Sequence, residues 1–317
     1  VTGLTGFAGS HLVDDLLAHT DWEVWGTAFG PSTASGWNGP RVHVLDADLL
    51  DSQDLVRVLA VAQPELVFHL AGQSSVRDAW THPWPTFETN VRMQLALLQA
   101  LHDRGNGVRM VTITSNEIYG AGAGDGSALD ESAPFAPVNP YALSKVAQDL
   151  LAELYGRAYG LDVVRLRPFT HIGPRQSDAF VTGSFARQVA EIEAGRRPPV
   201  MLVGNLDAQR DLSDVRDIVQ GYRLAALRGR AGAAYNLGSG VARSIRSVLD
   251  WFVSHAGVQV EVRPDPDRQR PADVPCTRCD ASRARAELEW APRIPFEQTL
   301  SDILGYWRAQ VAADQGS

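Results

Sequence analysis

The sequence predicts an α/β fold, a doubly wound parallel sheet with a smaller C-terminal lobe. Three observations carry that prediction. Short apolar runs alternate with helix-periodic segments through the first half of the chain. The centres of those runs are rich in β-branched residues, as suits strands buried on both faces. A glycine-spaced turn follows the opening run directly, which lets a strand pass into a closely packed helix.

In chain order, the opening run at Val1-Thr2 leads through glycines into a helix over Ser10–Ala18. Strands are expected at Glu23–Phe29, Val42–Leu45, Leu66–Leu70, Val108–Thr114 and Val163–Arg167. Between them, helices are expected at Ser52–Ala62, Pro85–Asp103 and Tyr141–Tyr159, the last opened by Asn139-Pro140, a natural helix start. Such alternation implies right-handed crossovers and one parallel sheet. After Pro168 the loops lengthen and Pro, Gly and Arg cluster at residues 173–175, 195–199 and 263–275. This divides the chain into a domain over residues 1–168 and a lobe over 169–317, with a return to the sheet near 211–238. One further strand is expected at Ala234–Leu237, and helices at Ile245–Val253 and Phe296–Trp307.

The 317 residues suffice for a main domain plus a lobe, at roughly 100–200 residues per domain. A formal charge of −8 and the lack of a basic patch argue against nucleic acid as a partner. No run approaches the ~18 apolar residues of a membrane span. No secretory segment is visible, and Val1 falls inside what reads as a strand. Low cysteine use fits the cytoplasm. The two cysteines, Cys276 and Cys279, are spaced C-x-x-C but have no second pair, so no metal is expected and small packed thiols are the plainer reading.

The glycines at Gly3, Gly6 and Gly9 stand between a strand and a helix. That context suits a dinucleotide: the backbone must approach the pyrophosphate, and the helix start offers N–H groups to it. The next strand ends Gly26-Thr27-Ala28-Phe29-Gly30, with no acid for the adenosine ribose. NADP(H) is therefore favoured, with Ser32 and Thr33 near a 2′-phosphate, and NAD(H) is the alternative.

Tyr141 and Lys145 are spaced i, i+4, which puts both on one helical face. A neighbouring ammonium, with the cationic nicotinamide, should lower the phenol's pKa and fit it for proton transfer; otherwise the pair is merely a surface tyrosine beside a lysine. Ser115, Asn116 and Glu117 follow the strand Val108–Thr114, where a doubly wound fold places its ligands. Ser115 can donate to a carbonyl. Glu117 can act as a base, hold a sugar hydroxyl, or simply be a solvated loop carboxylate.

Together with His69-Leu70-Ala71-Gly72, Asn90 and Arg167-Pro168, these motifs resemble the extended short-chain dehydrogenase/reductases. Residues 167–176, Phe185-Ala186-Arg187-Gln188, Val203-Gly204-Asn205-Leu206, Arg210-Asp211, residues 235–240 and residues 268–275 narrow the likeness. They resemble bacterial GDP-4-keto-6-deoxy-D-mannose reductases, of the GDP-mannose 4,6-dehydratase-like family. The resemblance implies a Rossmann sheet and a Ser115–Tyr141–Lys145 mechanism that reduces carbon 4 of a GDP-linked keto-deoxy sugar. It implies cofactor contacts at Gly3, Gly6, Phe7, Ala8, Gly9, Asp48, Leu49, Leu70, Ala71, Gly72, Asn90, Tyr141, Lys145 and Arg167. Substrate contacts are implied at Ser115, Asn116, Thr170, His171, Arg187, Arg210, Arg270 and Asp273. Thr170 departs from the asparagine usual in that family, which bears on the substrate's pose.

Apolar stripes on two helices (Leu95, Leu98, Leu101; Ala147, Leu150, Leu151, Leu154) suggest, by analogy with the superfamily, a homodimer. Three other functions stay open. A nucleotide-sugar 4,6-dehydratase would use Glu117 as base, although Asn116 cannot be the acid. A 4-epimerase and a non-catalytic dinucleotide sensor are the others; the sensor is at odds with an intact Ser115, Tyr141 and Lys145.

Overall fold

The computed structural model describes residues 1–30, 39–105, 107–123, 126–268 and 274–314. Its strands in chain order are β1 (Val24–Ala28), β2 (Val42–Asp46), β3 (Leu66–His69), β4 (Arg109–Ile113) and β5 (Asp162–Pro168). There follow β6 (Thr170–Ile172), β7 (Val200–Val203), β8 (Gln209–Asp214), β9 (Ala234–Leu237), β10 (Ala242–Ser244) and β11 (Glu261–Pro264). The helices of the first half are α1 (Phe7–His19), α2 (Ser52–Ala62), α3 (Val76–Thr81), α4 (Pro83–Phe87), α5 (Met93–Asp103) and α6 (Pro140–Tyr159). Those of the second half are α7 (Val181–Glu193), α8 (Val215–Arg228), α9 (Ile245–Ser254), α10 (Ser282–Leu288) and α11 (Phe296–Ala313).

Thr2 bridges Thr27 and His69 in parallel, so the opening residues lie between β1 and β3. The sheet order is then β2, β1, the Thr2 bridge, β3, β4, β5, β9, parallel throughout. The chain leaves the centre toward β1 and β2, then returns to cross toward β3. That reversal opens a crevice at the strand ends beside Thr2, where such sheets take ligands.

Side chains alternate across the sheet as a period of two requires. Val67, Met110 and Val163 pack with α2, α5 and α6. Their neighbours Phe68, Val111 and Val164 pack on the other face with α1 and α8. A third core joins α7, α9 and α11 to Met201, Val203 and Leu212. There β6 pairs with β8 in parallel, β8 with β10 antiparallel, and β7 with β11 in parallel. Among the described residues, no helix is long and apolar enough to cross a membrane.

Two expectations differ in detail. The helix expected over Pro85–Asp103 starts at Pro83 and is interrupted by a π turn at Glu88–Arg92. An apolar count registers the stripe but not the extra residue in the turn. The stripe on α5 also faces inward, with Leu98 and Leu101 buried in the core, so these residues cannot form an outer interface. On α6, by contrast, Leu143, Leu150 and Leu154 are exposed, and Trp80 and Trp84 are exposed on α3 and α4.

Candidate active site

The site starts with the glycine turn. Gly3 has φ +68°, and a Cβ there would stand 2.9 Å from the backbone N and Cα of Ala71. A Cβ on Gly9 would stand 2.2 Å from the carbonyl oxygen of Gly3. Only glycine permits this approach. Gly6 caps α1 without a side-chain bond, and the first turn holds no acid. The leading N–H groups of Phe7 and Ala8 are thus fitted to an anion.

Thr2 ties this turn to the next strand end. Its hydroxyl accepts from the N–H groups of Leu70 (3.1 Å) and Ala71 (3.0 Å), which leaves its proton for His69 Nδ1 at 2.9 Å. His69 is consequently neutral, and burial, with the charge of Lys145, lowers its pKa to about 3. At the edge of the crevice, Asp48 accepts from the N–H of Leu50 at 2.9 Å beside the buried Leu49. A Cβ on Gly72 would meet Asn90 Oδ1 at 2.8 Å.

Asn90 lies in the π turn, fully buried. Its Oδ1 accepts from the Gln73 N–H at 2.8 Å, and its Nδ2 donates to the Gln73 carbonyl at 3.1 Å and to Ser144 Oγ at 2.9 Å. The cofactor-side loop is thereby fastened to α6.

Asn139 caps α6, accepting from the Ala142 N–H at 2.7 Å, with Pro140 in the first turn. Tyr141 and Lys145 sit one turn apart, both buried. Ser115, just past the end of β4, lies beside the Tyr141 phenol and favours its ionised form. Lys145 Nζ donates to the Ile113 carbonyl at 3.2 Å and stands 5.8 Å from the Tyr141 ring centroid. Burial pushes the Tyr141 phenol well above its usual value, although nearby Ser115 opposes the shift, and burial lowers the Lys145 ammonium to about 8. The expected lowering of the phenol by Lys145 is therefore not met by the protein's own groups. Desolvation of a buried phenolate outweighs them.

Glu117 is drawn in by its backbone N–H, which donates to Ser115 Oγ at 3.2 Å, and by Asn139 Nδ2, which donates to Oε2 at 3.0 Å. Asn116 is 4% exposed, and its Nδ2 has no partner among the described residues. A buried amide without a partner is costly unless something else satisfies it.

Across the crevice, His171 stacks on Phe7, rings 5.9 Å apart and 5° from parallel. Thr170 precedes it on β6. The following loop docks on α1. His11 Nε2 donates to the Pro174 carbonyl at 2.9 Å, while Nδ1 accepts from Arg175 at 2.8 Å. Arg210, buried on β8, donates to the carbonyls of Gln209 (2.9 Å) and Val274 (2.7 Å). Arg187 on α7 is paired with Asp178 and Glu191 at 2.5 and 2.7 Å. Arg270, Asp273, Ser32 and Thr33 lie outside the described residues.

Arg167 has a different place from the one expected. Its guanidinium grips Asp149 at 2.9 Å through both Nε and Nη2, and donates to Tyr119 Oη and the Glu131 carbonyl at 3.0 Å each. It also lies 4.9 Å over the Phe135 ring. With its donors so engaged, the side chain braces β5 against α6 and is not open to a cofactor. Arg41 is likewise engaged by the carbonyls of Thr20 and Leu17, at 2.6 and 2.8 Å.

The family model for GDP-mannose 4,6 dehydratase matches residues 1–303. The chain belongs to the GDP-mannose 4,6 dehydratase family. It is 36% identical to a GDP-6-deoxy-D-mannose reductase of Pseudomonas aeruginosa, over 98% of this chain and 97% of that one. It is 31% identical to a UDP-glucose 4-epimerase of Mycolicibacterium smegmatis, over 97% of each. The solved structure of RMD from Pseudomonas aeruginosa complexed with NADPH superposes with a TM-score of 0.83, at 33% identity and 97% coverage of both chains.

Within this GDP-mannose 4,6 dehydratase family chain, two site contacts escaped sequence reading. One is the bond from Asn139 to Glu117; the other is the clamp of Asn90 on Gln73 and Ser144. The first had a partial signal, since a cap residue starts the helix, but its second partner lies 22 positions away. Among the described residues, no three His, Cys, Asp or Glu side chains cluster as metal ligands would.

Proposed function

We propose that this chain is an NADPH-dependent reductase acting on carbon 4 of a GDP-4-keto-6-deoxy sugar, as its likeness to a GDP-6-deoxy-D-mannose reductase suggests. The observation that carries the reading is the buried Tyr141 and Lys145 one turn apart on α6, with Ser115 beside the phenol and the glycine turn across the crevice. Bound NADPH would supply the hydride for carbon 4. Residues of the turn, Gly3 to Gly9, would hold its diphosphate, while Asp48 and Leu49 border its adenosine. Leu70, Ala71 and Gly72, backed by Asn90, would flank the nicotinamide half.

The protein's part is then acid catalysis. Ser115 polarises the carbonyl by donating to its oxygen. Tyr141, kept protonated by burial, gives its proton to that oxygen as negative charge develops. Lys145 holds the nicotinamide ribose and supports the phenolate that remains. Asn116 offers its buried amide to a sugar hydroxyl. Thr170, His171, Arg187, Arg210, Arg270 and Asp273 would hold the nucleotide diphosphate and ribose, in a lobe spanning 169–317 against a dinucleotide-binding domain over 1–168. The absence of an acid at the end of β1 supports NADPH over NADH.

Glu117 keeps a second reading in view, a 4,6-dehydratase in which it removes the carbon 5 proton, because it is fixed beside Tyr141. One pair of assays separates the two. Stoichiometric NADPH loss with GDP-4-keto-6-deoxymannose supports the reductase. A keto sugar formed from GDP-mannose with no net cofactor change supports the dehydratase. We further propose a cytoplasmic homodimer, joined through the exposed Leu143, Leu150 and Leu154 of α6 with Trp80 and Trp84.

A further inference from the structure

The Glu117 carboxylate and the first turn of α6 share one side-chain amide. Oδ1 of Asn139 accepts from the Ala142 N–H at 2.7 Å and so caps the helix. Nδ2 of the same amide donates to Glu117 Oε2 at 3.0 Å. Glu117 is held a second time through its N–H, which donates to Ser115 Oγ at 3.2 Å. Ser115 in turn lies beside Tyr141, two residues along the helix from Asn139. The four residues gather at the start of α6.

Capping alone does not require asparagine. Serine, threonine and aspartate cap about as well, because the cap needs only an acceptor oxygen. Aspartate has no N–H to give a carboxylate. Serine's single oxygen lies too close to the backbone to cap the helix and reach Glu117 together. Asparagine carries an acceptor and a donor on separate atoms, and both are used here.

We propose that Asn139 is a positioning residue: it holds the Glu117 carboxylate against the Ser115–Tyr141 pair, so that the helix start carrying the tyrosine also sets where the carboxylate stands. The inference rests on the reading of Ser115, Tyr141 and Lys145 as a reducing site, and deepens it. An amide partner orients Glu117 without neutralising it. The retained negative charge opposes ionisation of Tyr141, which suits a group that must enter the reaction protonated. Removing the donor frees the carboxylate to rotate away from the sugar, while the helix and Lys145 stay in place.

The test uses the full chain and four proteins: wild type, Asn139→Ser, Glu117→Gln and the double variant. Each is measured for NADPH affinity, for kcat and KM with GDP-4-keto-6-deoxymannose, and for Tm. Asn139→Ser should bind NADPH like wild type, because the cap survives, yet lose about tenfold in kcat, the worth of one hydrogen bond to a charged group. The double variant should turn over no more slowly than Glu117→Gln alone, since the two losses are one interaction. An unchanged kcat in Asn139→Ser overturns the proposal. So does a tenfold loss that multiplies undiminished onto Glu117→Gln, because Asn139 would then act only through the helix. If wild type ignores the keto sugar, the reductase reading falls. The Tm values of the same four proteins then decide: non-additive shifts support the Asn139–Glu117 link, and additive shifts overturn it.

Discussion

The side-chain amide of Asn90 stands 2.9 Å from the hydroxyl of Ser144, bridging the π turn and the helix that carries Tyr141 and Lys145. Ser144 directs its own proton to the Tyr141 carbonyl at 2.7 Å. The remaining atoms of the amide grip both backbone groups of Gln73. One side chain thus sets the distance between the loop at residues 70–73 and α6. The π turn places Asn90 where it can do so.

Replacing Asn90 with leucine leaves the half-buried Gln73 N–H and carbonyl and the buried Ser144 hydroxyl without this partner. The expected cost is about 3 kcal/mol, two or more orphaned groups at 1–3 kcal/mol each. NADPH affinity should fall with it. Urea unfolding and a fluorescence titration with NADPH read the two effects, and an unchanged unfolding midpoint would sink the argument.

Tyr141→Phe removes the proposed proton donor and keeps the ring. Turnover should drop by roughly 10²–10⁴, the usual range for a general acid, with NADPH affinity held. Retained activity in the variant would mean that another group, or water, supplies the proton.

Arg167→Met distinguishes a brace from a cofactor ligand. It strips Asp149 of a bidentate partner; Arg165 still donates to Asp149 Oδ1 at 2.7 Å, so the expected cost is about 1.5–3 kcal/mol, that of hydrogen bonds to a charged group rather than of an unpaired buried charge. The loss should appear in denaturant unfolding, while the protein that remains folded keeps its affinity for NADPH. A variant as stable as wild type with poor NADPH binding would restore Arg167 to the cofactor site.

Acid should destabilise the fold through two buried histidines. Burial depresses His11 to about 4 and His69 to about 3, below the ordinary 6.5. As pH falls below 6.5, the unfolded chain takes up these protons first. Their contribution is therefore whole above about 6.5 and is lost on acidification toward 4 and 3, at roughly 1.4 kcal/mol per pH step for each fully titrating histidine. Unfolding free energies between pH 7 and 4 measure the slope. His11→Asn should flatten it, and an identical slope would remove His11 from the account.

The dimer proposal has a direct check. Leu150→Glu combined with Leu154→Glu places two carboxylates on the exposed face of α6. Light scattering should then report a monomer where wild type is a dimer. A wild-type monomer would refute the proposal at once.

Much of the site was legible because its chemistry is local in sequence. Tyr141 and Lys145 are one helical turn apart, and a 3.6-residue period brings them together whatever surrounds them. The glycines of the opening turn are legible for the same reason: the turn and the helix start need them within a few residues. The parallel sheet followed from β-branched runs at regular intervals, and β9 fell at its expected residues 234–237. Strands β6, β7, β8, β10 and β11 and helices α7, α8 and α10 lie outside the elements the sequence predicts. At three or four residues each, β6, β7, β10 and β11 are too brief to show a period, and they exist because their partners are already in place.

The sequence by itself determined the strand–helix alternation, the anion-ready turn at Gly3 to Gly9, and a tyrosine and lysine on one face. Each rests on spacing within a few residues, which backbone geometry converts directly into direction. Tertiary structure alone decided what the charged side chains do. Arg167 spends its guanidinium on Asp149 and Tyr119 rather than on a ligand. The Tyr141 phenol is driven up by burial rather than down by its lysine. Asn139 reaches from a helix cap to Glu117. The reason is common to all three: desolvation and pairing depend on which distant residues fold against a group, and no local spacing encodes that.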